Sequence, residues 1–477
     1  MTDVIIIRPI SHSWSEELYM RYVTIPHGPL HLAAPLVESG YNVKIIDEVV
    51  EDNAENELRK NLKKNPICVG ISSMTGMQIK NGLKFAEIVR DENENLPIIW
   101  GGAHPTILPI TTLDDPLVDI VVCGEGEKTF PDLVSCLEKE KSLKDVSGIY
   151  YKDNGNYITN QKRCLMNLDD IPELPYHLIK MEVYITSIKK RGINRYFEIH
   201  TSRGCPYGCA FCYNSVHNKK WRTKSAERIL ENLKFLIHNY GIDGITWEDE
   251  IFSFSKERIT NICNGIIDEG IDIKLRAGVR VDHFSNFQNS FIELMKKAGF
   301  IHFGFGVESG SEKILRYINK HITIKQIHDV VKKVKENGFL ATYNFMTGFP
   351  NETAEDFAET LKLIHQIFKS NQNMLYPVSG PSFYTPFPET KLYYEALDLG
   401  FIPPNTFREW AKFDYNNMEM PWVNKNFSQI MYKAKHVVAD LNQKFIGEDA
   451  RIDSTDYKPL EEMIRMCSSI KNSEVIT

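Results

Sequence analysis

The first third of the chain alternates short β-branched runs with amphipathic stretches, and this pattern restricts the fold more than any other feature. Strands of a parallel sheet are covered on both faces, so they read as brief apolar runs between helices. The sequence predicts strands at residues 4–7, 43–46, 67–71, 97–100 and 118–122. It predicts helices near residues 30–39, 54–64, 77–90 and 128–137. We therefore expect an α/β fold that opens with a doubly wound, Rossmann-like domain.

A hairpin and a second alternation follow. Residues 148–160 alternate around Asn154 and Gly155, which predicts a tight hairpin at the end of a domain spanning residues 1–160. Residues 161–194 carry prolines without a sustained period and are interpreted as a linker. Strands are then predicted at residues 196–200, 244–247, 273–277, 301–307, 341–346 and 374–378. This suits a partial (β/α)6 barrel over residues 195–390 and a small, mainly helical region over residues 391–477.

The composition narrows the class of protein. The chain has 477 residues, 42% of them hydrophobic and 25% charged, which fits a soluble multidomain protein. Its formal net charge of −7 gives no electrostatic reason to bind nucleic acid, and no apolar run approaches the length of a membrane span. Because the N-terminus shows no signal peptide, we expect a cytoplasmic protein without nucleic-acid or membrane partners.

Three of the nine cysteines lie within eight residues of one another. Cys205, Cys209 and Cys212 follow the first predicted barrel strand, where barrel enzymes keep their chemistry. Structural zinc sites usually use four ligands, whereas an iron-sulfur cubane is bound by thiolates and can leave one iron open. The spacing predicts a 4Fe-4S cluster on these three thiolates. A zinc knuckle, or three core cysteines, is the alternative.

The C-x3-C-x2-C spacing, with the aromatic Phe211 before the third cysteine, resembles the radical S-adenosylmethionine (SAM) superfamily. The resemblance implies that the open iron chelates SAM, whose one-electron reduction releases a 5′-deoxyadenosyl radical. It also implies that Phe211 lies against the adenine, and that a reducing partner such as flavodoxin or ferredoxin supplies the electron.

Two polar segments resemble cofactor-binding segments of the same superfamily. Glu248 and Asp249 follow the second barrel strand, where carboxylates can accept from the ammonium or hydroxyl groups of SAM. A solvated acidic loop is the alternative. Arg276, followed by Arg280 and Asp282, resembles an arginine-containing cofactor segment, and ordinary surface pairing is the alternative.

A glycine-rich strand completes the resemblance. Gly304 and Gly306 would let the backbone approach a flat adenine or ribose, and Glu308 would accept from cofactor hydroxyls. The Pro-rich segment 385–390 resembles a loop of the cobalamin-associated subgroup, except that Glu389 stands where glycine is usual. We expect this departure to alter the local turn.

Several segments of the first domain resemble the cobalamin-binding domains that precede radical barrels. The resemblance implies that the nucleotide tail of cobalamin lies along three loops that follow predicted strands. Their candidate residues are Ser72, Ser73, Gly101, Gly102, Gly124, Glu125 and Gly126. The Asp-x-His-x-x-Gly motif, which supplies a lower axial histidine in related domains, is absent, and His12, His27, His31 and His104 lie outside such a pattern. We expect cobalt without a histidine ligand, and loss of cobalamin binding is the alternative.

Together these resemblances imply a cobalamin-dependent radical SAM enzyme, expected to methylate an unactivated carbon, or a phosphinate phosphorus, of a small molecule or peptide. A non-methylating reaction such as the ring formation of anaerobic protoporphyrin ester cyclases is the main alternative. A tRNA methylthiotransferase fits less well, because its additional cysteines and basic C-terminal module are not recognisable. A cobalamin sensor would have no use for the cysteine cluster.

Overall fold

The computed structural model describes residues 2–11, 23–188, 192–217, 219–370, 377–413, 420–446 and 453–470. The chain divides into two compact units. The first, here the N-terminal unit, consists of Met1–Ile185 and Pro403–Asn417. The second, here the barrel unit, consists of Thr186–Ile402 and Met418–Thr477.

The N-terminal unit is built on one seven-stranded sheet of order β2-β1-β3-β4-β5-β6-β7. The first five strands are parallel, and the last two are antiparallel. The strands are β1 Val4–Arg8, β2 Val43–Asp47, β3 Cys68–Ser72, β4 Ile98–Gly101, β5 Ile120–Val122, β6 Ile149–Asp153 and β7 Asn156–Thr159. The helices are α1 His27–Glu38, α2 Ala54–Leu62, α3 Met77–Glu92, α4 Ala103–Ile107, α5 Pro109–Leu113, α6 Gly126–Glu138 and α7 Met181–Tyr184. The predicted Rossmann-like α/β fold is confirmed.

The strand order explains where this unit can hold a ligand. The chain leaves β1 for β2 on one side and returns to β3 on the other, so the direction of winding reverses beside β1. Ligands of open α/β sheets bind beyond the carboxyl ends of the strands at such a reversal. The predicted hairpin is also present: Asn154 and Gly155 take φ values of 49° and 81°, as a type I′ turn requires.

A short piece of the C-terminal region belongs to the N-terminal unit. Helix α17, Phe407–Trp410, lies in the segment Pro403–Asn417 that joins this unit. Phe407 and Trp410 are 1% and 2% exposed and share a hydrophobic core with Trp100 and Leu113. The sequence interpretation treated residues 391–477 as one region and did not anticipate this packing.

The barrel unit contains a second seven-stranded sheet, of order β16-β15-β14-β13-β12-β9-β8. Its strands are β8 Thr186–Ile188, β9 Ile193–Ile199, β12 Gly244–Trp247, β13 Lys274–Gly278, β14 Phe300–Glu308, β15 Leu340–Thr347 and β16 Val378–Phe383. A small ribbon is formed by β10 Ser202–Arg203 and β11 Arg222–Thr223. Six strands are parallel, and only the edge strand β8, which lies in the predicted linker, is antiparallel. The last strand begins at Val378, where the sequence prediction ended, and residues 374–376 lie outside the described residues.

Helices separate most of these strands, as in a partial (β/α) barrel. They are α8 Asn214–His217, α9 Ala226–Tyr240, α10 Lys256–Asp268, α11 Val281–Ser285, α12 Asn289–Lys297, α13 Glu312–Tyr317, α14 Ile324–Glu336, α15 Ala354–Ser370, α16 Lys391–Asp398, α18 Lys425–Ile446 and α19 Lys458–Ser469. No helix in the described part of the chain is long and apolar enough to span a membrane.

Alternation along β14 separates the two faces of the barrel sheet. Phe303, Phe305 and Val307 are fully buried, and Phe284 of α11 contacts the first two with ring centroids 5.1 and 5.3 Å apart. Gly304 and Gly306 therefore lie on the opposite face of the sheet, away from α11. We call this the inner face of the barrel sheet.

The departure at Glu389 does not remove the turn. Glu389 itself adopts the left-handed conformation, with φ of 69°, that glycine would favour. Its carboxylate accepts a hydrogen bond of 3.0 Å from the Tyr394 hydroxyl. The turn is thus retained at some backbone cost.

Candidate functional site

The three clustered cysteines lie on the loop between β10 and α8. Cys209 is buried, and Cys205 and Cys212 are half-buried. Burial raises the pKa of Cys205 and Cys212, and charge on Cys209 raises both further, so the three sulfurs lie within electrostatic reach of one another. Among the described residues, no three His, Cys, Asp or Glu side chains surround a point suited to a single metal ion. A cubane does not require this, because each thiolate binds a different iron.

Contacts from residues that are distant in sequence hold the cluster loop in place. The Asn319 side chain donates to the carbonyl of Gly208 at 2.7 Å. The Tyr207 hydroxyl is 2.5 Å from Nε2 of His283, and the Arg280 guanidinium lies 3.6 Å from the centroid of the Tyr207 ring. The loop between the first two cysteines is therefore fixed by hydrogen bonds and by a cation–π contact.

Asp249 supports, from within the protein, the residues that lead into this loop. Its carboxylate accepts from the Thr201 N–H, the Thr201 hydroxyl and the Ser202 N–H at 2.6, 2.7 and 2.8 Å. Arg258 adds a contact at 3.3 Å, and the Asp249 side chain has no solvent exposure. We therefore assign Asp249 a positioning role instead of the expected contact with SAM, because donors from the protein already occupy both of its carboxylate oxygens.

The flanking acids are placed differently. Glu248 and Glu250 remain accessible to solvent, although surrounding protein raises the pKa of each by removing part of its hydration. Arg276 opposes this shift at Glu248, and the Gly204 N–H, next to Cys205, opposes it at Glu250. Glu250 belongs to the same acidic segment as Glu248 and Asp249, but it was not named among the cofactor contacts predicted from the sequence.

Arg276 belongs to a row of polar groups across the inner face. Its Nε donates to Nδ1 of His302 at 2.7 Å, and its Nη1 donates to the Tyr196 hydroxyl at 3.1 Å. Nε2 of His302 is 3.1 Å from the Thr342 hydroxyl. Arg276 is therefore half-buried and hydrogen-bonded on the inner face rather than in a surface ion pair, and its contact with SAM stays a prediction.

The two glycines of β14 serve different purposes. A Cβ atom added at Gly304 would meet no atom within 4 Å, so this position leaves room beside the inner face. A Cβ added at Gly306 would lie 2.6 Å from Oε1 of Glu308 and 2.8 Å from Nζ of Lys320. Gly304 fits the predicted approach of a flat ligand, whereas Gly306 makes room for an ion pair.

That ion pair brings positive charge to the cysteines. Lys320 donates to Glu308 at 2.7 Å, and its own carbonyl accepts from Arg280 at 2.7 Å. Burial disfavours the charged amine, but Glu308 and the Cys209 sulfur raise the pKa of Lys320 above its ordinary value. Lys320 was missed because nothing in its local sequence marks it as part of a site.

The aromatic residue of the cysteine motif faces a second ring. The centroids of Phe211 and Phe349 lie 5.9 Å apart. Phe349 follows β15, so the loop beyond this strand contributes an apolar neighbour to the cluster loop. The three thiols, the nearby cations and the open space at Gly304 together fit a thiolate-bound cluster with SAM.

In the N-terminal unit, the loops after β3 and β4 are joined to each other. The Ser73 N–H donates to the carbonyl of Gly101 at 2.9 Å. A Cβ at Gly102 would lie 2.7 Å from the Ser73 carbonyl oxygen, and Gly102 has a φ of 99°. Gly102 is therefore required by the approach of Ser72 and Ser73, whatever it contacts in a ligand.

Of the two glycines after β5, one borders open space and the other is required by packing within the protein. Gly124 has a φ of 77° and open space around its missing Cβ, and its N–H donates to the Thr106 hydroxyl at 3.0 Å. Glu125 precedes α6 as its N-cap. A Cβ at Gly126 would lie 2.4 Å from Cδ2 of Leu32, so Gly126 permits the packing of α1 against α6.

One buried hydroxyl favours a ligand at these loops. Ser73 is 1% exposed, and its Oγ has no hydrogen-bond partner among the described residues. Buried polar atoms are normally satisfied, so this oxygen suits a polar ligand such as the nucleotide tail of cobalamin.

Two of the histidines considered as possible cobalt ligands have hydrogen-bond partners within the protein. His31 bonds to the His27 carbonyl at 2.8 Å, and His104 bonds to Thr75 at 2.9 Å. His12 lies outside the described residues.

Two family models match the chain, and each covers one of these regions. The B12 binding domain matches residues 19–134, and the radical SAM superfamily matches residues 199–364. The fold and both matches define a cobalamin-dependent radical SAM enzyme that uses a 4Fe-4S cluster and SAM. The chain belongs to the cobalamin-binding group of the radical SAM superfamily.

Individual relatives agree with this assignment. An uncharacterized methyltransferase of Pyrococcus horikoshii is 34% identical over 426 residues, which cover 88% of this chain and 89% of the relative. The anaerobic magnesium-protoporphyrin IX monomethyl ester cyclase of Rubrivivax gelatinosus is 25% identical, over 83% of this chain and 70% of its own. The methyltransferase TsrM of Kitasatospora setae, solved with cobalamin and a 4Fe-4S cluster, has a TM-score of 0.70 at 14% identity, covering 98% and 99% of the two chains. The last comparison supports the fold alone.

Proposed function

We propose that this enzyme transfers a methyl group from SAM to an unactivated carbon, or to a phosphinate phosphorus, of a small molecule or peptide. The observation that carries the proposal is the similarity, over nearly the whole length of both chains, to the methyltransferase of Pyrococcus horikoshii. When bound, the cluster with SAM supplies a radical that activates the substrate, and cobalamin supplies methyl-transfer chemistry.

The residues of the barrel unit support this chemistry. Cys205, Cys209 and Cys212 would hold the cluster, and Lys320 and Arg280 place positive charge near their sulfurs. Gly304 leaves space for SAM, and the accessible Glu248 can accept from its polar groups.

The polar row on the inner face suits a substrate with hydrogen-bonding groups. Thr246, Arg276 and His302 are direct neighbours in the strand register. The side chains of this row already bond to one another, but these bonds use only two of the five guanidinium N–H groups of Arg276, and a polar substrate can accept from the others. A reducing partner such as flavodoxin or ferredoxin is part of the proposal.

Ring formation is the second candidate, because the cyclase of Rubrivivax gelatinosus is also similar over most of this chain. The two candidates differ in how they consume SAM. Methyl transfer by a radical route converts one SAM to S-adenosylhomocysteine and another to 5′-deoxyadenosine. A ring-forming reaction yields 5′-deoxyadenosine alone.

The test supplies the anaerobic, cofactor-loaded enzyme with a reductant, SAM bearing a trideuterated methyl group, and a small-molecule extract of the producing cells. We expect both nucleoside products and a metabolite that has gained the deuterated methyl group. Extract-dependent 5′-deoxyadenosine without S-adenosylhomocysteine would favour ring formation instead. Cys209→Ala is the control and should form no 5′-deoxyadenosine.

A further inference from the structure

We propose that segment 403–413 of the N-terminal unit positions the cobalamin loops through His104, so that His104 and Trp410 are positioning residues for cobalamin binding. The cobalamin loops are here residues 72–75, after β3, and residues 101–104, after β4. The proposal concerns binding of the cofactor and does not depend on which reaction the enzyme performs.

The two cobalamin loops form one connected structure. Besides the bond from Ser73 to Gly101, the N–H of His104 donates to the carbonyl of Ser73 at 3.2 Å. The His104 ring adds a side-chain bond, with Nδ1 2.9 Å from the Thr75 hydroxyl. A displacement of His104 would therefore move residues of both loops.

The other side of the His104 ring is packed against segment 403–413. The ring centroid lies 5.6 Å from that of Phe407 and 5.6 Å from that of Trp410. Phe407 in turn meets Trp100, the residue before Gly101, edge to face at 5.0 Å. The segment thus supports the β4 loop from two directions.

The chemistry of His104 suits a connecting role. The ring is 1% exposed, and burial lowers the pKa of His104 to about 3, so the ring is neutral. A neutral ring can accept from the Thr75 hydroxyl at Nδ1, and Nε2 has no partner among the described residues. An apolar side chain would pack here without a buried unsatisfied nitrogen, so the bond to Thr75 is the feature that distinguishes histidine.

Segment 403–413 is also fixed at a second point. Arg408 donates to both oxygens of Asp115 at 2.6 and 3.3 Å. Asp115 accepts from the N–H of Leu117 at 3.0 Å, and the carbonyl of Leu117 accepts from Trp100 at 3.2 Å. An ion pair and an aromatic cluster therefore hold the segment against the part of the sheet that carries the β4 loop.

The experiment measures binding of hydroxocobalamin to the anaerobic full-length protein by equilibrium dialysis, together with the visible spectrum of the bound cofactor. We expect Trp410→Ala and His104→Leu to raise the Kd at least about tenfold, because loops that are no longer held in place must be ordered when the cofactor binds. His104→Asn can keep an acceptor at the position of Nδ1, so it should recover part of the affinity. In all three variants the iron content and the SAM cleavage by the barrel unit should be unchanged.

Leu58→Ala is the matched control, because Leu58 is fully buried in the same hydrophobic core but lies on α2, which is part of neither loop. It should lower the melting temperature comparably while leaving the Kd unchanged. The proposal is overturned if Leu58→Ala weakens cobalamin binding as much as Trp410→Ala does. It is also overturned if His104→Leu binds like the wild type. Should Trp410→Ala fail to fold, the comparison of His104→Leu with His104→Asn decides the matter.

Discussion

The residues that the sequence analysis singled out have different roles in the two units: cysteines in the cluster loop of the barrel unit, and glycines in the loops of the N-terminal unit. The three cysteines form no disulfides, and they lie near cations, so their thiols are available to a metal cluster. Of the marked glycines, Gly102 and Gly126 are explained by contacts within the protein, and only Gly124 borders open space. A reactive side chain in a sequence thus indicates a ligand site more directly than a glycine does, because a glycine can be required either by a ligand or by close packing within the protein.

The largest expected effect would break the cluster side of this comparison. Replacement of Cys205, Cys209 or Cys212 by Ala should abolish the 4Fe-4S absorbance and all formation of 5′-deoxyadenosine, since a methyl group cannot ligate iron. Cys68→Ala is the control, because burial raises the pKa of that thiol to about 12 and it lies in the other unit. Retained SAM cleavage in a triple variant would contradict the assignment.

A buried acid sharpens the description of the barrel unit. Three groups donate to Oε2 of Glu352, and Oε1 has no partner among the described residues. Burial raises the pKa of Glu352 from 4.5 to about 8. Because the pKa of Glu352 is higher in the folded protein, protonation of this acid stabilises the fold. The stabilisation is complete below pH 4.5 and is lost as the pH rises to about 8, a change of roughly 5 kcal/mol.

Glu352→Gln, which cannot ionise, should remove this part of the pH dependence. Denaturant unfolding of both proteins at several pH values between about 4.5 and 8 measures the difference. Parallel stability curves for the variant and the wild type would show that Glu352 is ionised in the folded protein.

The adjacent residues Asp249 and Glu248 have different expected roles: Asp249 supports the structure, and Glu248 contacts SAM. Asp249→Asn leaves the buried Arg258 without its counter-charge and should destabilise the protein by about 3 kcal/mol, with loss of iron. Glu248→Gln should change stability by less than about 0.5 kcal/mol, because its side chain is accessible, while weakening SAM binding. Denaturant unfolding and SAM titration of both variants test this difference. Equal changes in the free energy of unfolding and in SAM affinity would contradict the positioning role of Asp249.

The glycine side of the comparison can be tested with two alanine variants. Gly124→Ala should cost about 1 kcal/mol, the strain of a left-handed backbone alone. Gly102→Ala should cost at least about 2 kcal/mol and weaken cobalamin binding, because its Cβ also meets the Ser73 backbone. If the two variants lose stability equally, the contact between the loops is not what requires Gly102.

The sequence predicted the elements that depend on local pattern. Strands such as β1 and β4 were predicted because continuous apolar runs mark buried strands, and the hairpin was predicted because Asn-Gly favours positive φ at both turn positions. The packing of Phe407 and Trp410 on Trp100 could not be predicted, since about three hundred residues separate the partners and no local pattern pairs them. The Lys320–Glu308 pair and the enclosure of Asp249 depend on tertiary contacts in the same way.

The central claim is that one chain binds a cobalamin and a 4Fe-4S cluster, with no histidine on cobalt. Electron paramagnetic resonance of the anaerobically loaded protein in its Co(II) form tests it most directly. We predict about one cobalamin per chain, as one sheet with one reversal of winding allows, and a cobalt signal without nitrogen superhyperfine splitting. Splitting that changes when the protein's histidines carry 15N would contradict the absence of an axial histidine, and no uptake of cobalamin would contradict the account of the N-terminal unit.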